Sequence, residues 1–455
     1  MAIETICIES YEQNLKYSEN KELYGEINTP FSLINKMFDL LPSSIFSNKD
    51  LTWLDPGCGC GYFSIALFHR LYSGLSTKIP SKRERKLHII TKMMYMIELN
   101  AQHHSSLIKI FGKNANIIID DYINRNFDQE FDIIIGNPPY NCNGLKKVPT
   151  NKKSNKKEDG TTLWSEFTKK SISILRKNGL LLYIIPSIWM KPDKAQMYEF
   201  LLQFQIKKMH CLTNTETNQV FSNLAQTPTC YFLLENAPSQ NVVSLYDNDL
   251  QKYISYNLSK NIPMPVFGAS VVNKAMKVTS IYGCMAVIKT SLPSRHVEFS
   301  NIKTDKFPYS YVHTCCLNGL KPTLVTKYGN QEDRYHKIPK LILAHKMYGF
   351  PYLDENGTYG ISNRDNYVVS GYTISELKRI KDFLSTKFAL YLFESTRYRM
   401  KYLEKYVFEL IPNITKISDF PKIINDETIA NYFELSQEEC LAINKLHKKN
   451  YTFFD

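Results

Sequence analysis

The chain has 455 residues, of which 43% are hydrophobic and 22% charged, an ordinary balance for a globular protein with room for two separate cores. No stretch reaches the roughly 18 uncharged apolar residues of a membrane-spanning helix, Met1-Ala2-Ile3-Glu4 lacks the basic-then-apolar pattern of a secretory leader, and ten irregularly spaced cysteines read as free thiols of a reducing compartment. A formal charge of +12 with a pI near 9.0 favours a polyanionic partner, so the expectation is a cytoplasmic protein, neither secreted nor membrane-bound.

Residues 1–23 are polar and read as a helix or loose arm. A turn follows at Tyr24-Gly25-Glu26-Ile27-Asn28-Thr29-Pro30, then an amphipathic helix over 31–41 with Thr29 as its N-cap and Pro30 in its first turn. Residues 51–55 form a short strand ending in Asp55. Pro56-Gly57-Cys58-Gly59-Cys60-Gly61 comes next, then a helical pattern over 62–73. Strand, glycine turn and helix is the nucleotide-cofactor arrangement of a doubly wound sheet, because glycines admit a ligand close to the backbone and the helix N-terminus carries partial positive charge. Residues 74–92 are a polar, basic insertion. Further strands are expected at 93–98 (ending in Glu98), 116–119, 131–136, 179–186 and 229–235. Helices are expected at 100–111, 162–177 and 193–204. This alternation predicts a mainly parallel, three-layer α/β sheet.

The strand at 131–136 runs into Asn137-Pro138-Pro139-Tyr140. Each proline fixes its own φ and extends the residue before it. The Asn137 side chain and the Pro138 carbonyl can then accept hydrogen bonds from one planar amine, while the Tyr140 ring lies against the flat group that carries it. Residues 144–160 form a loop rich in lysine (Lys146, Lys147, Lys152, Lys153, Lys156, Lys157). Beyond about 236–245 the pattern changes to short strands and Gly/Pro turns over 240–370. A long helical pattern over 375–410 places Arg397, Lys401 and Lys405 on one face, with Tyr398, Tyr402 and Tyr406 beside it. Cys58 and Cys60 lack a second ligand pair at metal-binding spacing, and His313, Cys315 and Cys316 make only a faint metal pattern, so no metal is expected.

Asp55, the glycine turn, Glu98 and the Asn-Pro-Pro-Tyr turn together resemble the N6-adenine-specific DNA methyltransferases that use S-adenosylmethionine, above all the Eco57I- and TaqI-type enzymes. The resemblance covers residues 24–235 in detail. It implies a Rossmann-like methyltransferase sheet in residues 1–240 and a C-terminal mixed α/β target-recognition domain in residues 241–455. It implies that Thr29 lies under the methionine carboxylate of the cofactor, and that Asp55, Gly57, Gly59 and Gly61 form the first cofactor motif, with Cys60 where a small Thr or Ser is usual. Glu98 would accept the ribose hydroxyls. Asp121, next to Asp120, would meet the adenine amine of the cofactor, with Tyr122 beside the ring.

The implied reaction is methyl transfer to the N6 amine of an adenine swung out of double-stranded DNA. Asn137 and Pro138 would hold the amine, Tyr140 would stack on the base, and Phe221 would supply a second aromatic. The lysines of the 144–160 loop would grip phosphates, and any restriction endonuclease would be a separate chain. The same tetrapeptide also serves methylation of glutamine amides and RNA bases, whose planar nitrogens pose the same chemical problem. A non-catalytic DNA-binding subunit is the remaining rival, and the intact cofactor positions argue against it.

Overall fold

Apolar runs too short for helices, alternating with helical segments, bury both faces of their strands when helices cover each side of a parallel sheet. A computed structural model describes residues 3, 27–142, 161–192, 195–225, 227–318, 321–345, 351–398 and 403–447. The N-terminal arm apart from Ile3, the six loop lysines 146–157 and residues 399–402 therefore lie outside the described residues. The chain divides into two units, Met1–Trp189 with Asp193–Leu245, and Met190–Pro192 with Tyr246–Asp455.

In the first unit the elements are α1 (Phe31–Phe38), β1 (Trp53–Asp55), α2 (Tyr62–Gly74), α3 (Lys82–His88), β2 (Met94–Glu98), α4 (His104–Phe111), β3 (Asn116–Ile119), β4 (Phe131–Gly136), α5 (Trp164–Ser173), β5 (Leu175–Pro186), α6 (Met197–Leu201), β6 (Phe204–Leu212), α7 (Asn214–Val220), β7 (Thr229–Pro238) and β8 (Val242–Asp247). The strands lie in the order β3-β2-β1-β4-β5-β7-β6, with β8 beside β6. Strands β3 to β5 are parallel. β7 runs antiparallel to both of its neighbours, β5 and β6. The sheet is thus a mainly parallel, Rossmann-like one with a single reversed strand among β1 to β7, in agreement with the fold class expected from sequence.

Trp53, Ile133, Ile135, Leu182 and Ile184 share one buried cluster with α1 and α2. The sequence order reverses between β1 and β4, so their carboxyl ends open a crevice where ligands of such sheets bind. Asn141–Cys142 and Thr161–Thr162 pair antiparallel and close the base of the lysine loop.

Several elements differ from the sequence reading. The insertion at 74–92 contains α3, capped by Ser81 through Glu84 N. Residues 193–204 yield only the five-residue α6, whose N-cap Gln196 has a left-handed φ of 56°. β6 was read as part of no strand; its register shifts twice, at Phe204/Gln205 and Ile206/Lys208, which breaks the two-residue period that reveals a strand.

The second unit is mixed α/β. One four-stranded sheet pairs Ile288–Lys289, Asn366–Ser370, Lys340–Ala344 and Tyr352–Asp354, and another pairs Phe299–Ser300, Lys321–Gly329, Tyr309–Asn318 and Gly360–Ile361. Val312, Ile342, Ile361 and Val368 form a small core with Tyr335. The long helix expected over 375–410 is two helices, Ile374–Leu384 and Lys387–Ser395, because the Thr386 side chain caps a new helix at Ala389 N. Arg397 follows the second helix and pairs with Glu394, so Arg397 and Lys405 belong to no common helical face. No described helix is long and apolar enough to cross a membrane.

Candidate functional site

The carboxyl ends of β1 to β4 border a cavity of about 530 Å³. Its glycine wall is fixed by local backbone chemistry. Just past the wall, Gly61 caps α2 with a left-handed φ of 87°, which strains any residue with a Cβ, and a Cβ there would crowd Leu107 at 3.1 Å and Phe111 at 3.3 Å. Cys58 N donates to Ile97 O at 3.0 Å, tying the turn to β2. The Glu98 carboxylate ends β2 and accepts from Gly59 N through Oε2 and from Asn100 N through Oε1, both at 2.7 Å. A carboxylate thus occupies a backbone amide that a phosphate would use in a dinucleotide enzyme.

Asn137 emerges from β4 into the same cavity. Its Nδ2 donates to Thr29 Oγ1 at 3.0 Å and to Ile27 O at 3.3 Å. A carbonyl only accepts, so these partners fix which amide atom is nitrogen. Oδ1 is left screened from solvent without a hydrogen-bond partner among the described residues. An orphaned acceptor of this kind is costly until a donor arrives. Thr29 is therefore not the N-cap of α1, as the sequence implied. Pro30 holds that place, and no side chain caps the helix. Tyr140 lines the cavity beside Pro138 and Pro139. Its hydroxyl reaches Ile184 O at 3.5 Å, and burial pushes its phenol well above the ordinary range.

Past β3, Asp120 and Asp121 both border the cavity but have different partners. Asp120 pairs with Arg125 at 2.6 Å, and that hydrogen bond holds its carboxyl below the usual value. Asp121 accepts from Ile123 N at 3.0 Å and from Asn124 Nδ2 at 2.7 Å. The Tyr122 ring is buried 5.1 Å from the Phe167 ring.

Of the residues singled out by sequence, the cavity brings together Thr29, Gly57, Gly59, Glu98, Asp121, Tyr122, Asn137, Pro138, Tyr140 and Phe221. Asp55 and Gly61 are absent from its wall. Asp55 lies behind the glycine turn, 3% exposed, where Oδ2 accepts from Ser64 Oγ at 2.8 Å and Oδ1 has no partner among the described residues. Burial, reinforced by the nearby Glu98 charge and opposed by the Ser64 bond, raises its pKa from 3.8 to about 7.

Sequence reasoning missed Leu99, Leu163, Glu166 and Phe167, which also line the cavity. Leu163, Glu166 and Phe167 are spaced as one helical face within the helix expected over 162–177. Leu99, 56% exposed at the end of β2, is an apolar residue left facing open space. Four carboxylates border the cavity (Glu98, Asp120, Asp121, Glu166), and among the described residues no Lys, Arg or His lines it. No cluster of three or more metal-binding side chains occurs among the described residues; His313 instead contacts Ser362 Oγ and Asn363 Nδ2.

Residues 61–221 match the family model of the Eco57I restriction-modification methylase. The type II methyltransferase M.AccI of Acinetobacter calcoaceticus is 27% identical over 242 residues, which are 50% of this chain and 41% of that protein. The type II restriction enzyme and methyltransferase RM.Eco57I of Escherichia coli is 31% identical over 134 residues, 28% of this chain and 13% of that one. An uncharacterized adenine-specific methylase of Mycoplasma pneumoniae is 40% identical over 77 residues, 16% of this chain and 18% of that one. Each match spans less than half of the relative's length. The stretch from Gly61 to Phe221, which carries Glu98 and the Asn-Pro-Pro-Tyr turn, is thus the part of the chain that is similar to the Eco57I restriction-modification methylases.

Proposed function

We propose that the protein is a site-specific DNA methyltransferase that moves a methyl group from S-adenosylmethionine to the N6 amine of an extruded adenine. The observation that carries this reading is the orphaned Asn137 Oδ1 in a cavity whose described lining holds Glu98, Asp121 and Glu166, with Asp120 paired to Arg125, and no cationic side chain. Such a wall favours a cationic cofactor bearing a sulfonium and an ammonium, and disfavours a phosphate-bearing dinucleotide. The residues fit that cofactor. Glu98 keeps lone pairs for two ribose hydroxyls, Leu99 and Phe167 offer apolar faces to a purine, and Asp121 offers an acceptor to its amine. When bound, the cofactor supplies a methyl that is already electrophilic.

The chain's own residues then act on the acceptor. Asn137 Oδ1 and the Pro138 carbonyl take the two amine hydrogens and turn the nitrogen lone pair out of the ring plane. As the nitrogen becomes positive, both acceptors stabilise that charge without reorganising. Tyr140 and Phe221 hold the base, which makes the alignment mainly an effect of position. The surplus proton leaves the product amine to water. Neutral thioether product meets less attraction from the carboxylate wall than the sulfonium does.

The test is transfer of labelled methyl from S-adenosylmethionine to duplex DNA, with the modified nucleoside identified by mass spectrometry. N6-methyladenine is the expected product. Label in RNA or in a glutamine-containing protein, with none in DNA, would transfer the assignment to those acceptors. No label in any acceptor despite cofactor binding would point to a non-catalytic subunit.

A further inference from the structure

Beneath the cavity floor three buried hydroxyls form a chain that the methyl-transfer chemistry does not use. Tyr122 OH and Ser171 Oγ are 2.9 Å apart, and Ser171 Oγ and Tyr183 OH are 2.6 Å apart. Tyr122 is 2% exposed, and Ser171 and Tyr183 are fully buried. The chain joins three elements, namely the loop after β3, the last turn of α5 and the strand β5. A second bond runs beside it, from Lys170 Nζ to Arg125 O at 2.7 Å. The loop that carries Asp121 to Asn124 is thus fastened to the helix that carries Phe167.

The far end of the chain reaches the acceptor side. Tyr183 pairs with Gly136 in the parallel ladder of β4 and β5, and Gly136 directly precedes Asn137. A Cβ on Gly136 would lie 3.5 Å from Asp55 Oδ1 and 3.6 Å from Tyr183 Cε1. The Tyr183 ring therefore packs under the strand end from which Asn137 emerges, next to the Asp55 carboxylate. Three hydroxyls in series satisfy one another only when all three are present; removing the middle one leaves two buried phenol groups short of a partner.

We propose that Ser171 and Tyr183 are positioning residues for the cofactor subsite, holding the Tyr122 ring and the Phe167 face of α5 in fixed register with the strand that presents Asn137. This rests on the reading of the cavity as an S-adenosylmethionine site. Neither residue lines the cavity, so the effect of losing them falls on cofactor affinity through Tyr122 and Phe167, with DNA affinity spared.

The experiment uses the full chain and calorimetric titration with S-adenosylmethionine, alongside duplex binding and thermal melting. Ser171→Ala should raise the cofactor Kd about tenfold, Tyr183→Phe should raise it less, and duplex Kd should stay at the wild-type value. Ser171→Ala combined with Tyr122→Phe should be no worse than the worse single variant, since both cut one chain. Unchanged cofactor Kd in Ser171→Ala and Tyr183→Phe, with wild type binding normally, would overturn the proposal. So would equal losses for cofactor and duplex accompanied by a lower Tm, which mark a general packing role. Failure of wild type to bind S-adenosylmethionine would instead remove the cofactor reading, and this role with it.

Discussion

In the proposed reaction Asn137 is the residue on which the chemistry turns, and its hydrogen bonding makes a clear prediction. Nδ2 is held by Thr29 and Ile27 while Oδ1 has no partner among the described residues. Asn137→Ala should lower kcat by about a thousandfold, the scale of losing a preorganised acceptor for developing charge, with S-adenosylmethionine affinity near wild type; labelled methyl transfer and calorimetry measure the two separately. Asp55 makes a different prediction. Its carboxyl titrates near pH 7 in the folded protein and near 3.8 as a free side chain, so between these values the native state holds a proton that the unfolded chain has lost. Its contribution to stability is therefore full below about pH 4 and is lost as pH rises through about 7, by roughly 4 kcal/mol at most. Melting curves of the cofactor-free protein from pH 4 to 8 should show this decline, and Asp55→Asn should flatten it. The type of Asp55 was legible in the sequence, and its depth was not. A strand-end carboxylate looks the same whether it lines a cavity or lies behind one, because its exposure depends on the path of the turn that follows.

The elements that carry the cavity were visible where their side chains repeat regularly. β4, the second half of β5 and the first half of β7 are near-continuous apolar runs, and α2 follows its glycine turn. β6 was hidden by its two register shifts, and α7 by its short length, although its capping box of Thr213 and Glu216 is a local start signal. Two substitutions test how far these elements depend on their ends. Gly61→Ala forces a left-handed backbone on a side chain that also meets Leu107, and should cost about 1–2 kcal/mol or more in urea denaturation. Thr213→Ala removes the bond to Glu216 N and should cost about 1 kcal/mol. Because α7 ends at Val220, directly before Phe221, the same variant should reduce the fluorescence change of a 2-aminopurine target.

Residues 251–350 hold 14 Lys and Arg against 4 Asp and Glu, and residues 51–200 hold 22 against 13, while the described lining of the cavity is acidic. This separation of sign suits a protein that takes a cationic cofactor in one place and a polyanion in another. Duplex affinity should fall steeply between 50 and 200 mM salt with a linear log–log slope, whereas cofactor affinity should change little; a flat duplex response in a filter-binding series would count against the phosphate contacts. The sequence by itself determined the sheet type, the glycine turn, and the identity of Glu98 and of the Asn-Pro-Pro-Tyr turn, because short-range backbone constraints and periodicity specify these without help from distant residues. The tertiary structure alone decided that Thr29 meets Asn137, 108 positions away, that Asp55 and Gly61 build the wall from behind, and that Phe167 and Glu166 face the cavity. Those facts depend on which helix covers which strand, and packing across the sheet sets that at separations where sequence pattern carries no information.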